Sequence, residues 1–160
     1  MPDAFVAGLD GQTRKKSIDI LNANLAEAIA LTLAVKQAHW NLKGAGFIGV
    51  HELLDDVATR LRDGADLMAE RAVVLGGFAQ GTLEVVGDTA KMDAYPVEES
   101  DITAHIKALK DRFLKVGEAV RKGAADAGDA GDEDTADVLT EVSRAVDKDA
   151  WFIGANAPAS

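Results

Sequence analysis

Residues 39–55 read HWNLKGAGFIGVHELLD, and residues 66–71 read DLMAER. The first segment contains His39 and His51, two of the three histidines in the chain. Asp55, Asp66 and Glu70 add three carboxylates, and the four-residue spacings of His51 to Asp55 and Asp66 to Glu70 place each pair on one helix face. Imidazole and carboxylate groups in this arrangement suggest a metal site, although a solvated helix face has the same pattern.

Two long helical patterns contain this stretch. The first begins within residues 12–17 and ends near His39, and the second begins within residues 46–50 and ends at Leu75, before a glycine pair. Apolar residues recur every three or four positions, at Ile18, Leu21, Leu25, Ala28, Thr32 and Val35 and then at Val50, Leu54, Val57, Leu61, Ala65, Met68 and Ala72. Off this stripe the first helix carries Ile20, Ile29, Leu31 and Leu33. A helix that is apolar on two sides indicates contact with a second subunit.

The rest of the chain predicts two further long helices. Residues 78–99 lack a clear period, so we expect a crossover that carries a short helix of its own. The third helix starts after Ser100 or Asp101, and a turn rich in glycine and aspartate over residues 124–134 precedes a fourth helix over residues 134–153. Four long helices with one long crossover indicate an all-α, ferritin-like four-helix bundle. We expect residues 1–160 to form a single domain whose residues 1–12 are a short flexible arm.

Composition and charge exclude several classes of protein. The formal net charge of −10 argues against a nucleic-acid-binding domain, because phosphate contacts require clustered Lys and Arg. The absence of cysteine excludes thiolate ligands and disulfides. The N-terminus lacks the pattern of a signal peptide, and the apolar run Leu25–Val35 is too short to span a bilayer, so we expect a cytoplasmic protein.

The spacing of the candidate ligands limits how they can bind a metal ion. The pair Asp66 and Glu70 follows the pair His51 and Asp55 by fifteen residues, or about 22 Å along a helix, which is too far for one ion. The pairs are therefore separate incomplete sites, or one site assembled across a dimer whose two-fold axis passes near residues 60–61. His39 lies beside His51 if the turn between them is short. Such a mixed nitrogen and oxygen set suits iron, manganese or zinc.

The same residues resemble a family signature. The segments at residues 39–55, 66–71 (D-x-x-A-E-R) and 75–77 (Leu-Gly-Gly) are similar to the Dps family, the ferritin-like mini-ferritins called DNA-binding proteins from starved cells. The similarity continues through Asp134-Thr135-Ala136-Asp137, Ser143-Arg144, Asp147-Lys148 and Trp151-Phe152-Ile153. It covers nearly the whole chain after residue 12.

The resemblance implies a ferroxidase that stores iron. It implies a hollow homo-dodecamer that oxidises Fe²⁺, preferably with hydrogen peroxide, keeps the ferric product inside and so protects against oxidative damage. The metal ligands of the family correspond to His39, His51 and Asp55 of one subunit and to Asp66 and Glu70 of its two-fold partner. Trp40, beside the first ligand, is either a radical sink or, as we expect, a buried structural residue.

Two other functions are compatible with a ferritin-like bundle. A DNA-binding nucleoid protein with a secondary metal site needs a basic arm, but residues 1–13 contain no Lys or Arg and residues 154–160 contain no charged side chain. We therefore expect weak or absent DNA binding. A conventional ferritin needs Glu-x-x-His motifs inside each bundle, and the chain contains none.

A cluster of acidic residues precedes the fourth helix, at Asp126, Asp129, Asp132, Glu133, Asp134 and Asp137. By resemblance it forms an acidic funnel at a three-fold axis, with Asp134 and Asp137 as its foremost members; the alternative is a solvated turn with an aspartate N-cap. The remaining histidine, His105, is expected to be a surface or packing residue without a role in the chemistry.

Overall fold

The structure, a computed structural model, describes residues 2–158. In chain order its helices are α1 (Gly11–Asn41), α2 (Phe47–Val74), α3 (Leu83–Thr89), α4 (Ile102–Asp129) and α5 (Glu133–Gly154). Helix α1 packs on α2 and α4 packs on α5, while α1 also contacts α4 and α2 contacts α5. This arrangement confirms the predicted all-α, ferritin-like four-helix bundle, with the short helix α3 inside the crossover.

The apolar stripes of the long helices form one core. All predicted core positions of α2 are buried except Ala65, which is half-buried. The prediction for the second side of α1 was wrong for Leu31, which is fully buried inside the bundle. Because α1 contacts α2, α3 and α4, its buried face is broader than a single stripe. Leu33, in contrast, is 51% exposed.

Polar side chains of α1 hold the crossover against the bundle. Asn22 donates to the carbonyl oxygen of Phe78 (3.0 Å) and accepts from the backbone N–H of Gln80 (2.9 Å). Farther along, the carboxylate of Glu27 accepts from the backbone N–H of Lys91 (2.6 Å), and Gln37 donates to the carbonyl oxygen of Val97 (3.2 Å). These bonds satisfy backbone groups that the irregular segment cannot pair internally.

The turn predicted over residues 124–134 is much shorter than expected. Helix α4 continues to Asp129, and only residues 130–132 separate it from α5. Gly123, just before the predicted turn, lies within α4 and faces α1: a Cβ atom there would lie 2.8 Å from the side-chain nitrogen of Asn24. A larger residue at this position would have to displace the side chain of Asn24, so glycine favours the close approach of the two helices.

The N-terminal arm touches the body of the subunit. The backbone N–H of Phe5 donates to the carbonyl oxygen of Val74 (2.9 Å), and Val6 and Leu9 pack against the core. Asp10 then caps α1 by accepting from the backbone N–H groups of Gln12 and Thr13. The flexibility of residues 1–12 stays a prediction.

Helix α1 is long and apolar enough to cross a membrane by length and composition alone, which the shorter run Leu25–Val35 did not indicate. Of its most apolar window, 61% is buried in the bundle. Packing against neighbouring helices therefore accounts for its apolar character as a core helix.

Candidate metal centre

The end of α1 and the start of α2 are joined by a turn that a distant segment holds in place. The backbone N–H of Lys43 donates to the carbonyl oxygen of Ser100 (2.7 Å), and the carbonyl oxygen of Lys43 accepts from Ile102 (3.1 Å). Gly46 precedes α2 with a φ of +78°, a conformation that glycine adopts without strain. The turn is short, as the prediction required, so His39 and His51 face each other.

The two imidazoles form a reciprocal pair. Nδ1 of His39 lies 2.8 Å from the carbonyl oxygen of His51, and Nδ1 of His51 lies 2.9 Å from the carbonyl oxygen of His39. The rings stack with centroids 3.7 Å apart. A carbonyl oxygen can only accept, so each Nδ1 carries a proton, and a ring in its neutral form then has an unprotonated Nε2. This tautomer is the one that binds a metal ion through Nε2.

Asp55 lies beside this pair and is held by a lysine. Its Oδ1 atom is 4.0 Å from Nε2 of His39 and 2.6 Å from Nζ of Lys36. The hydrogen bond from Lys36 lowers the pKa of Asp55, so this exposed carboxylate is ionised at neutral pH. Lys36 was not among the predicted site residues. Its position three residues before His39, on the same face of α1, is the signal that would have identified it.

Asp66 and Glu70 lie apart from the first group. Both are exposed on α2, and no cluster of three or more His, Asp or Glu side chains close enough for a metal ion occurs within residues 2–158 of one subunit. The structure therefore pairs His39 with His51 and places Asp55 4.0 Å from His39, but one subunit alone does not assemble the five predicted ligands. An ordinary solvated face would pair Arg62 with Asp66, and no such ion pair forms among the described residues; the arginines of α2 that do form ion pairs, Arg60 and Arg71, pair with acids outside α2.

The environment of Trp40 differs from the prediction. We expected a buried indole, but Trp40 is 66% exposed in the subunit. It projects from the last turn of α1, with Nζ of Lys36 5.8 Å from its ring. Ile48, on the first turn of α2, is also exposed, at 62%. Large exposed apolar side chains beside a half-formed site are typical of a surface that another protein covers.

The acidic cluster before α5 divides into two groups. Asp132 is only 1% exposed; it caps α5 through Thr135 and pairs with Nη2 of Arg71 at 2.8 Å. Burial raises the pKa of Asp132, but hydrogen bonds from Thr135 and Arg71 outweigh it and hold the pKa below its usual value. Asp132 is thus a structural N-cap, whereas Asp134 and Asp137 are exposed. A role for these two residues in attracting cations stays a prediction.

Comparison with known proteins gives relatives along nearly the whole chain. A family description, Ferritin-like domain, matches residues 18–157. The chain is 47% identical over 148 residues to the DNA protection during starvation protein of Agrobacterium fabrum, which covers 92% of this chain and 91% of that protein. Its structure is similar to Mycobacterium smegmatis Dps, with a TM-score of 0.93 and 31% identity over 100% of this chain and 96% of that one. It is also similar to a dps-homologue from Halobacterium salinarum, with a TM-score of 0.89 and 29% identity over 94% and 84% of the two chains. The chain therefore belongs to the Dps family of ferritin-like proteins.

Proposed function

We propose that this protein is a ferroxidase that oxidises Fe²⁺, preferably with hydrogen peroxide, and stores the ferric product in a dodecameric cage. The observation that carries the proposal is the reciprocal pair of His39 and His51, because its hydrogen bonds use Nδ1 of each ring and leave each Nε2 available, with Nε2 of His39 4.0 Å from the carboxylate of Asp55. The cytoplasm, where reducing conditions prevail, is the compartment that a ferrous substrate implies.

The other ligands come from a second subunit in this proposal. The centre of the pair His51 and Asp55 and the centre of the pair Asp66 and Glu70 are related by a midpoint between Arg60 and Leu61. Two antiparallel copies of α2 crossing there would place each first pair opposite the second pair of the partner. The exposed apolar side chains on α1 and α2 support a subunit contact on this face.

The ligand set suits iron as a substrate. Carboxylates are hard anionic donors that stabilise Fe³⁺ over Fe²⁺, and neutral imidazoles bind the incoming ferrous ion. One molecule of hydrogen peroxide accepts one electron from each of two Fe²⁺ ions and, with two protons, becomes two molecules of water. Both electrons are used, so less hydroxyl radical forms than when a single Fe²⁺ reduces peroxide.

The test is oxidation of Fe²⁺ by the purified protein, followed by absorbance of the ferric product. We expect faster oxidation with hydrogen peroxide than with oxygen at equal oxidising equivalents, and ferric iron that co-elutes with a twelve-subunit species. Oxidation no faster than in buffer with either oxidant would contradict the proposal.

Lys36 should compete with the metal ion for Asp55. In Lys36→Met the carboxylate of Asp55 no longer has a cation beside it. We expect a divalent probe ion, Zn²⁺ or Co²⁺, to bind about 1.5- to 5-fold more tightly than to the unsubstituted protein. Isothermal titration at neutral pH measures this change. The control is Lys15→Met, which removes a 2.6 Å ion pair with Asp19 on the same helix but away from the site. Weaker binding in Lys36→Met would mean that the lysine positions Asp55 instead of blocking it.

Binding to DNA is the alternative function, since the relative from Agrobacterium fabrum is named a DNA protection during starvation protein. We propose that direct binding is weak or absent here. Residues 1–13 carry no basic side chain, and twelve copies would have a formal charge of about −120, which repels phosphate. An electrophoretic shift at low salt without divalent cations tests this expectation. A tight complex under those conditions would favour a nucleoid protein.

A further inference from the structure

The only tyrosine of the chain is hydrogen-bonded to a fully buried histidine. Tyr95 lies at the end of the crossover and His105 on the second turn of α4. The Tyr95 hydroxyl is 2.7 Å from Nδ1 of His105, and Nε2 of His105 is 3.0 Å from the carbonyl oxygen of Glu99. His105 has no exposed surface, in agreement with a packing residue. The iron site proposed above uses neither side chain.

The direction of both hydrogen bonds follows from the carbonyl group. The carbonyl oxygen of Glu99 can only accept, so Nε2 of His105 carries the proton of the neutral ring. Nδ1 then has a free lone pair, and Tyr95 donates its hydroxyl proton to it. A phenol whose proton points at a fixed base over 2.7 Å is arranged for proton transfer.

We propose that Tyr95 and His105 form a proton-coupled redox pair that gives one electron to strong oxidants. The ring of Tyr95 loses the electron while its hydroxyl proton crosses to Nδ1 of His105, so the products are a neutral tyrosyl radical and an imidazolium. Without the base, the phenol would have to become a cation radical in a partly buried position, which costs far more.

The surroundings of the pair determine which oxidants can take an electron from it. The guanidinium of Arg112 lies 4.8 Å from the Tyr95 ring centroid and donates to the carbonyl oxygens of Asp93 and Ala94. A cation over the ring withdraws electron density and makes oxidation harder, so weak oxidants leave the pair intact. The Glu99 carboxylate, fixed by the backbone N–H groups of Ser100 and Asp101, offsets the charge of the imidazolium.

The ionisation of Tyr95 agrees with this arrangement. Burial raises the pKa of the Tyr95 hydroxyl above its usual value, and the Glu99 carboxylate raises it further. The phenol therefore keeps its proton at neutral pH, and the base at His105 is needed when an electron leaves.

The pair is attached to the helix that carries the proposed iron ligand. Gln37, two residues before His39, donates to the carbonyl oxygen of Val97, two residues after Tyr95. The turn after α1 also bonds to Ser100 through the backbone of Lys43. The proposed iron site and the segment that carries Tyr95 therefore lie at the same end of α1, so oxidants formed at the iron site arise near this segment.

The next step rests on the proposed ferroxidase function. The oxidant is the hydroxyl radical that forms when one Fe²⁺ reduces hydrogen peroxide. Hydroxyl radical takes the electron from Tyr95 and, with one proton from solvent, becomes water. A further Fe²⁺ returns an electron to the tyrosyl radical, the proton returns from His105 to the phenol oxygen, and the iron leaves as Fe³⁺. The pair thus converts a damaging radical into water and ferric product.

The experiment uses iron-free protein, so that its result does not depend on ferroxidase activity. Flash oxidation with a photoexcited ruthenium polypyridyl complex and an electron acceptor is followed by electron paramagnetic resonance, in a background where both tryptophans, Trp40 and Trp151, are phenylalanine. Because the chain has one tyrosine, any tyrosyl signal belongs to Tyr95. We expect the signal in this background and its loss in Tyr95→Phe.

His105→Gln distinguishes a redox pair from a structural hydrogen bond. Glutamine can still accept from Tyr95 and donate to Glu99, but it is not a base, so we expect radical formation to slow by about tenfold or more. In the unsubstituted pair, the tyrosyl signal should show coupling to one exchangeable proton that disappears in D₂O, and this readout does not require the variant to fold. An absent tyrosyl signal, an unchanged rate in a folded His105→Gln, or no exchangeable coupling would each overturn the proposal.

Discussion

Assemblies made only of His51→Ala subunits, or only of Asp66→Ala subunits, are expected to oxidise Fe²⁺ about a hundredfold more slowly than the unsubstituted protein, because each loses a ligand from every shared site. A co-expressed mixture of the two variants should recover activity. In a mixed dimer one site combines both defects, while the other takes its histidines from the Asp66→Ala subunit and its acidic pair from the His51→Ala subunit. Random mixing makes half of the dimers mixed, so about a quarter of the sites are intact.

The measurement is the initial rate of ferric absorbance for each assembly and for the mixture, purified through two different affinity tags. Asp63→Ala is the matched control, since Asp63 is an exposed aspartate on α2 three residues from Asp66 and outside the proposed ligand set. Recovery in the mixture supports a site shared between subunits. If each single variant keeps its full rate, the ligand assignment is wrong; if both lose activity and the mixture recovers none, the ligands do not come from two subunits.

The helices of this fold were predictable where a single face decides burial. The stripe from Val50 to Ala72 follows the helical period, and burial of that face in the bundle required no other information. Leu31 was misassigned because α1 contacts three other helices, and one stripe does not describe a face that broad. The end of α4 was misplaced because the glycine and aspartate residues of 124–134 favour a turn, whereas α4 packs on α5 and stays helical as far as Asp129.

The sequence predicted which residues form the candidate site and how they are spaced along the helices. His39 and His51 were expected to be neighbours because only a short turn separates α1 from α2. Their reciprocal hydrogen bonds to each other's carbonyl oxygens were not predictable. They depend on how the two helices are rotated and placed relative to each other, to within a fraction of an ångström. The pairing of Lys36 with Asp55 depends on the same rotation.

Arg71→Met is expected to lower the free energy of unfolding by about 3 kcal/mol at pH 7, because it leaves a buried carboxylate without its cation. Nη2 of Arg71 lies 2.8 Å from Asp132, whose side chain is 1% exposed, and Nε of Arg71 donates to Thr135. The pair joins α2 to the N-terminus of α5. Urea denaturation at a fixed protein concentration, followed by circular dichroism, measures the loss, and Arg62→Met, at an exposed arginine of the same helix, is the control.

Adding Asp132→Asn to Arg71→Met should restore much of this stability, because asparagine still caps α5 and brings no charge into the buried position. Lower pH should also reduce the stability difference between Arg71→Met and the unsubstituted protein. The pKa of Asp132 is held below its usual value in the folded protein, so its contribution to stability is present above the unfolded pKa and is lost as pH falls through the folded one. In Arg71→Met the folded pKa of Asp132 is higher because burial remains and the cation is gone, so Asp132 takes up its proton at a higher pH than in the unsubstituted protein. The difference between the two proteins should therefore shrink from pH 7 towards pH 4. A loss that stays constant over this range, or a double variant no more stable than Arg71→Met, would mean that Arg71 acts through packing and not through the charge of Asp132.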